Sequence, residues 1–139
     1  PIEYVVLPAV PGTVLIELSI ERGYPGEDEE DQEDGPPPVK IEEYPIVGWR
    51  VPLRRRDVES GAEMVAVTVG REEETVPTHV RPYEGYYAFH VTACVMPGGR
   101  VCADGHFVER AEFLERSAKK LQAARAHRLA SFRDDFDLF

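Results

Sequence analysis

The 139-residue chain predicts an α+β fold: a small, mostly antiparallel β sheet or open barrel with one long C-terminal helix. Three observations lead there. Short runs of β-branched and aromatic residues, punctuated by Pro- and Gly-containing turns, recur as far as residue 103. The apolar period then changes, with Phe107, Ala111, Leu114, Ala118 and Leu121 spaced alternately by four and three, as on one stripe of an α-helix. No unit of roughly 20–50 residues repeats, which sets solenoids and propellers aside.

Residues 2–7 are a β-rich run that Pro8, Pro11 and Gly12 break into a turn. Residues 13–20 follow as a second strand, with Val14, Ile16, Leu18 and Ile20 on a buried face and Leu15, Glu17 and Ser19 on the other. These two are expected to pair antiparallel. Residues 26–38 hold an acidic run and the triplet Pro36-Pro37-Pro38, which reads as a mobile loop with a stiff re-entry. Residues 44–51 carry the single tryptophan, Trp49, between Pro45 and Pro52, the signature of an edge or bulged strand.

Arg54, Arg55 and Arg56 make a basic surface patch, and Ser60-Gly61 turns the chain into a strand over 63–69. Arg71 to Glu74 reads as a charged hairpin tip, with a short extended stretch over 75–80. Residues 86–96 are the strongest β segment, and Pro97-Gly98-Gly99 folds it back on residues 100–103. Asp104-Gly105 is a turn and cap for a helix over 107–127. In that helix Glu109, Glu112 and Glu115 come early and Lys119, Lys120, Arg125 and Arg128 late, which matches the helix dipole. Glu112/Arg116 and Glu115/Lys119 are i,i+4 pairs. The organisation is one domain over 1–130 and a C-terminal tail over 131–139.

Charge is unevenly spread. Between residues 27 and 34 only Gln32 lacks a carboxylate; removing Glu27, Asp28, Glu29, Glu30, Asp31, Glu33 and Asp34 would take the formal net charge from −10 to −3. The acidic balance argues against binding the nucleic-acid backbone, which needs a cationic footprint. A local negative field instead suits electrostatic steering onto a basic protein surface. The run lacks the spacing of an EF-hand calcium loop. No apolar run approaches the ~18 residues of a membrane helix, and residues 1–7 lack a basic leader with a long apolar segment, so a cytoplasmic location is expected. Asparagine is absent and glutamine occurs twice, a composition that a thermophilic source or a GC-rich genome would both produce.

Motifs for phosphate loops, dinucleotide binding, serine hydrolases and zincins are missing, so no enzyme and no cofactor is expected. His90, Cys94, Cys102 and His106 lie symmetrically about Gly98 as H-x3-C-x7-C-x3-H. Four residues of strand span about 13 Å, which keeps His90 and Cys94 from sharing one zinc ion. The expectation is therefore a facing pair of cysteines, buried as small hydrophobes and reduced, with a disulfide as the alternative. A small metal-dependent or hydrolytic enzyme built around these four residues is the third functional reading.

The C-terminal residues Asp135-Phe136-Asp137-Leu138-Phe139 resemble the short bacterial sliding-clamp-binding peptide, with Asp135 and Phe136 where that peptide has glutamine and leucine. The resemblance implies docking through Phe136, Leu138 and Phe139 and makes a replication-associated protein the second reading. More broadly, the stretch from Leu7 to Leu18, the run Pro45-Ile46-Val47-Gly48-Trp49-Arg50-Val51 and the turn Met96-Pro97-Gly98-Gly99-Arg100-Val101 resemble small accessory proteins of bacteriophages and prophages. The acidic insertion and the charged helix depart from that pattern. The leading expectation is a non-enzymatic phage protein that binds and modulates a host machine, RNA polymerase foremost, with inhibition the favoured direction and activation the alternative. Its contacts would come from the acidic run and the Arg54–Arg56 patch.

Overall fold

The computed structural model describes residues 1–21, 38–69, 76, 81–82, 88–103 and 105–137; the side chains of 81, 82, 88 and 128–137 fall outside that description. The fold is α+β. Among the described residues the elements are β1 (Tyr4–Pro8), β2 (Val14–Glu21), β3 (Lys40–Pro52), α1 (Arg55–Glu59), β4 (Val65–Thr68), β5 (Arg81–Pro82), β6 (Ala88–Val95), β7 (Arg100–Ala103), β8 (His106–Glu109) and α2 (Arg110–Asp137). The strand order is β1-β3-β2-β6-β7-β8, with β4 on β3 and β5 on β6. Every strand register resolved between described residues is antiparallel.

The chain groups into two compact units. The first comprises Pro1–Ile16, Glu43–Thr78 and Thr92–Arg110. Here the turn after β1 does not close a hairpin with β2, contrary to the expected pairing. Thr13 caps the turn by donating from its N–H and its hydroxyl to the Val10 carbonyl, and Gly12 supplies the positive φ of 92°. The two arms then bond to β3 instead: Ala9 N–H donates to Val47 O, and Ile46 N–H donates to Thr13 O. A long strand from elsewhere in the chain thus passes between two runs that are neighbours in sequence.

β3 carries a bulge between Ile46 and Gly48 where it pairs with β4; of the two forms expected from Pro45 and Pro52 it takes the bulged one, and it is no edge, since β1 and β2 flank it. Leu15, Ile46, Ala66 and Cys94 form this unit's core, with Ala9, Tyr44, Trp49, Val76 and Met96 packed against it. Leu15 overturns the one-faced reading of β2. Leu15, Ile16, Glu17 and Leu18 are all buried, so both faces of the strand are covered.

β6 and β7 form the expected hairpin. Met96 N–H donates to Arg100 O and Gly99 N–H to Met96 O, while Gly98 and Gly99 take φ of 99° and 87°. The following segment differs from expectation. Residues 106–109 are strand β8, paired with β7 from Ala103↔His106 to Arg100↔Glu109, and Gly105 (φ 80°) serves a hairpin turn rather than a helix cap. Phe107 accordingly sits on a strand and is exposed. Its spacing of four to Ala111 continued the helical period by coincidence. Arg110 opens α2 and pairs with Glu43.

The second unit comprises Glu17–Glu42, His79–Val91 and Ala111–Phe139. Phe113, Ser117, Leu121 and Arg125 are its buried helical line, with Leu114, Ala118 and Ala124 half-buried beside them, while Ala111 is exposed. The Arg125 Nε donates to Glu21 O at 2.8 Å, tying α2 to the end of β2 and giving a buried cation a partner. Both expected i,i+4 pairs form, Arg116–Glu112 at 2.6 Å and Lys119–Glu115 at 3.2 Å. With neither Gly nor Pro after Gly105, α2 runs on through 131–137, residues set apart as a tail by sequence. Its last turn consequently holds no basic residue, and the cations lie mid-helix.

Candidate functional site

The feature with the clearest capacity for binding is the edge strand β1. Its sequence, Tyr4-Val5-Val6-Leu7-Pro8, has the β-branched and aromatic character that favours extended backbone. β3 holds it along its length, from Tyr4↔Pro52 to Pro8↔Gly48. Gly48 is needed at that contact, because a Cβ there would stand 3.0 Å from Leu7 O and 3.3 Å from Val6 Cγ1. At the opposite end the Arg50 guanidinium lies over the Tyr4 ring at 4.8 Å, and Leu53 N–H donates to Glu3 O at 2.9 Å.

All five residues of β1 are exposed, Val6 to 63%. Ile2, Val10 and Val47 extend the apolar exposure around it. Among the described residues β1 pairs with β3 alone and stands at one end of the strand order. From Tyr4 to Leu7 the edge carries no charged side chain and its pairing with β3 has no register shift, so it offers backbone N–H and C=O groups to an incoming strand, and Pro8, without an N–H, closes it. Proteins ordinarily blunt such edges. Its chemistry is β-augmentation, in which main-chain bonds supply affinity and alternate side chains supply selectivity.

The predicted site residues distribute as follows. Arg54, Arg55 and Arg56 lie beside the N-terminal end of β1, where Arg54 pairs with Glu3 at 3.7 Å. The segment is helical: Arg55 opens the five-residue α1 and pairs with Glu59 at 3.2 Å, and Ser60 closes it by donating to Arg56 O. Two of the three arginines are thus partly neutralised, and all three remain exposed. Glu27, Asp28, Glu29, Glu30, Asp31, Glu33 and Asp34 lie outside the described residues, as do Leu138 and Phe139. Phe136 falls within the α2 backbone, its side chain undescribed.

His90, Cys94, Cys102 and His106 do not converge. Cys94 and Cys102 face each other across the hairpin as expected, both as free thiols, but only Cys94 is buried; Cys102 is exposed, contrary to the expected burial of both. The symmetric register would continue to a His90–His106 pair, but the chain turns back after Ala103. His106 then pairs with Ala103 on an exposed strand, whereas His90 is buried opposite Arg81. Among the described residues no three His, Cys, Asp or Glu side chains are placed to hold a metal ion. Burial pushes the Cys94 thiol up to about 11, with the neighbouring Cys102 adding to the same effect.

Sequence reasoning missed β1 as a site. The signal was present in the Val5-Val6-Leu7 run, which lacks the polar alternation of a strand with one solvated face. No helix among the described residues is long and apolar enough to cross a membrane. In comparison with known proteins, no family model, no curated protein and no solved structure matches the chain.

Proposed function

We propose that this chain is a non-enzymatic, phage-encoded protein that acts in the host cytoplasm by binding and inhibiting a macromolecular machine, RNA polymerase foremost, through protein–protein contacts. One observation carries the reading: β1 offers five exposed residues as an apolar strand edge, and such a surface is suited to pairing with another chain. The exposed Arg54–Arg56 segment adjoins it and favours an acidic element next to the partner's strand. The acidic run at Glu27–Asp34 adds a steering charge for the basic surfaces that nucleic-acid machines present.

Purified bacterial RNA polymerase and this chain, mixed at low and high salt and resolved by native gel or interferometry, test the proposal. Binding is expected, and Val6→Lys with Leu7→Lys should weaken it at least roughly tenfold, a loss of about 1.4 kcal/mol. Neutralising residues 27–34 should slow association chiefly at low salt. Absence of binding at either salt overturns the polymerase assignment. Binding that tolerates both lysines overturns the role of β1.

A further inference from the structure

Two sulfur atoms touch on one face of the β6–β7 hairpin, and a third side chain bearing sulfur stands opposite them in register. Cys94 and Met96 are two residues apart in extended backbone, so their side chains leave the same face, and Cys94 Sγ lies 3.8 Å from Met96 Sδ. Cys102 stands directly opposite Cys94, which sets their Cβ atoms about 4.5–5.5 Å apart on that face. The turn holds this register, since Met96 N–H donates to Arg100 O at 2.8 Å and Gly98 and Gly99 adopt the positive φ it requires.

We propose that Cys94, Cys102 and Met96 form a trigonal site for a soft monovalent d10 cation, Cu(I) being the biological representative. Two thiolates and a thioether are the donor set that selects Cu(I) over harder ions. The dimensions agree: with metal–sulfur bonds of about 2.3 Å, the zinc–thiolate length, a trigonal set has sulfur–sulfur edges of about 4.0 Å. The 3.8 Å contact already sits near that value. Leu15, Ile46 and Ala66 pack against Cys94 with apolar side chains, while Cys102 lies exposed at the surface.

Binding exchanges one cation for the two thiol protons, which leave to solvent, and neither metal nor sulfur changes oxidation state. Because the ion displaces both thiol protons, affinity rises with pH. The site is independent of β1 and of the proposed partner. A cation here would brace the hairpin.

The test uses the full chain, reduced and anaerobic, titrated with Ag(I) and separately with Cu(I) held by bathocuproine disulfonate. One equivalent of either ion is expected to bind. Quenching of Trp49, the single tryptophan and a neighbour of the same cluster, should saturate at that ratio. Cys102→Ser, at an exposed position that leaves folding intact, should cost more than about 100-fold in affinity, because losing a direct ligand exceeds the loss of an outer partner. Met96→Leu should cost about tenfold. Equal uptake by Cys102→Ser, quenching by Zn(II) at the same concentrations, or no uptake of Ag(I) by the unaltered chain would each overturn the proposal.

Discussion

β1 and β2 are built from similar residues and meet opposite fates. β1 reads Tyr-Val-Val-Leu-Pro and is exposed throughout, whereas β2 reads Val-Leu-Ile-Glu-Leu-Ser-Ile-Glu and buries even Glu17. Hydrophobicity does not separate them. Their places in the strand order do: β2 lies between β3 and β6, and among the described residues β1 has β3 alone. A strand's residues set how well it would tolerate burial, while the topology decides whether burial happens. What is left uncovered at the edge is therefore available for binding rather than for stability.

The largest effect should come from cutting equal volumes out of the two strands. Leu15 is fully buried in the core with Ile46, Ala66 and Cys94, so Leu15→Ala should cost about 2–5 kcal/mol. Leu7→Ala, half-exposed on β1, should stay within about 0.5–1 kcal/mol. Urea midpoints at constant slope measure both. Equal losses would mean that β1 is buried by something beyond the described residues.

The same contrast explains what was legible in sequence. Local features were: a bulged strand between Pro45 and Pro52, the Cys94↔Cys102 register imposed by Pro97-Gly98-Gly99, and the Glu112/Arg116 and Glu115/Lys119 pairs. Non-local pairing was not. Nothing in residues 2–20 announces that β3 will pass between their two strands, because the bonds from Ala9 to Val47 and from Thr13 to Ile46 join segments more than 30 residues apart. β8 was concealed by chance periodicity, Phe107 standing four residues before Ala111, and the helical α1 by its brevity. At the candidate site the basic residues were found by charge, while β1 escaped notice because exposure is a property of neighbours.

Gly48 tests how firmly the exposed edge is held. A methyl group there meets Leu7 O at 3.0 Å, a backbone atom that can yield only by moving β1 away from β3. Gly48→Ala should therefore destabilise by about 1–3 kcal/mol and speed hydrogen exchange at the β1–β3 amides more than in the β6–β7 hairpin. Uniform acceleration would show that β1 and the core open together.

On the buried side, pH provides a smaller and directional probe. The Cys94 thiol ordinarily titrates at 9.0 and is held at about 11 in the fold, first by burial and then by Cys102. Below pH 9.0 the thiol is protonated folded or unfolded, and its contribution is fully present. Between pH 9.0 and about 11 the unfolded chain loses the proton while the folded chain keeps it, so stability falls as pH rises. The stability difference between the unaltered chain and Cys94→Ala should therefore shrink across that window, by an amount on the order of 1 kcal/mol once solvent screening is allowed for. A constant difference would place Cys94 in contact with water.

The smallest expected effect on stability carries the most information about function. Val6 is the most exposed residue of β1, so Val6→Lys removes little buried contact and should shift unfolding by no more than about 0.5 kcal/mol. Its consequence for pairing should be far larger, because a lysine on an edge must be desolvated before another strand can close over it. If β1 is a docking edge, this variant keeps its urea midpoint and loses its partner. Val47→Lys makes the control: Val47 is comparably exposed but belongs to β3, which already has strands on both sides. Lysine there should leave edge pairing intact. Equal losses from the two substitutions would point to a generic hydrophobic or charge effect, whereas loss from Val6→Lys alone would locate recognition on the strand edge.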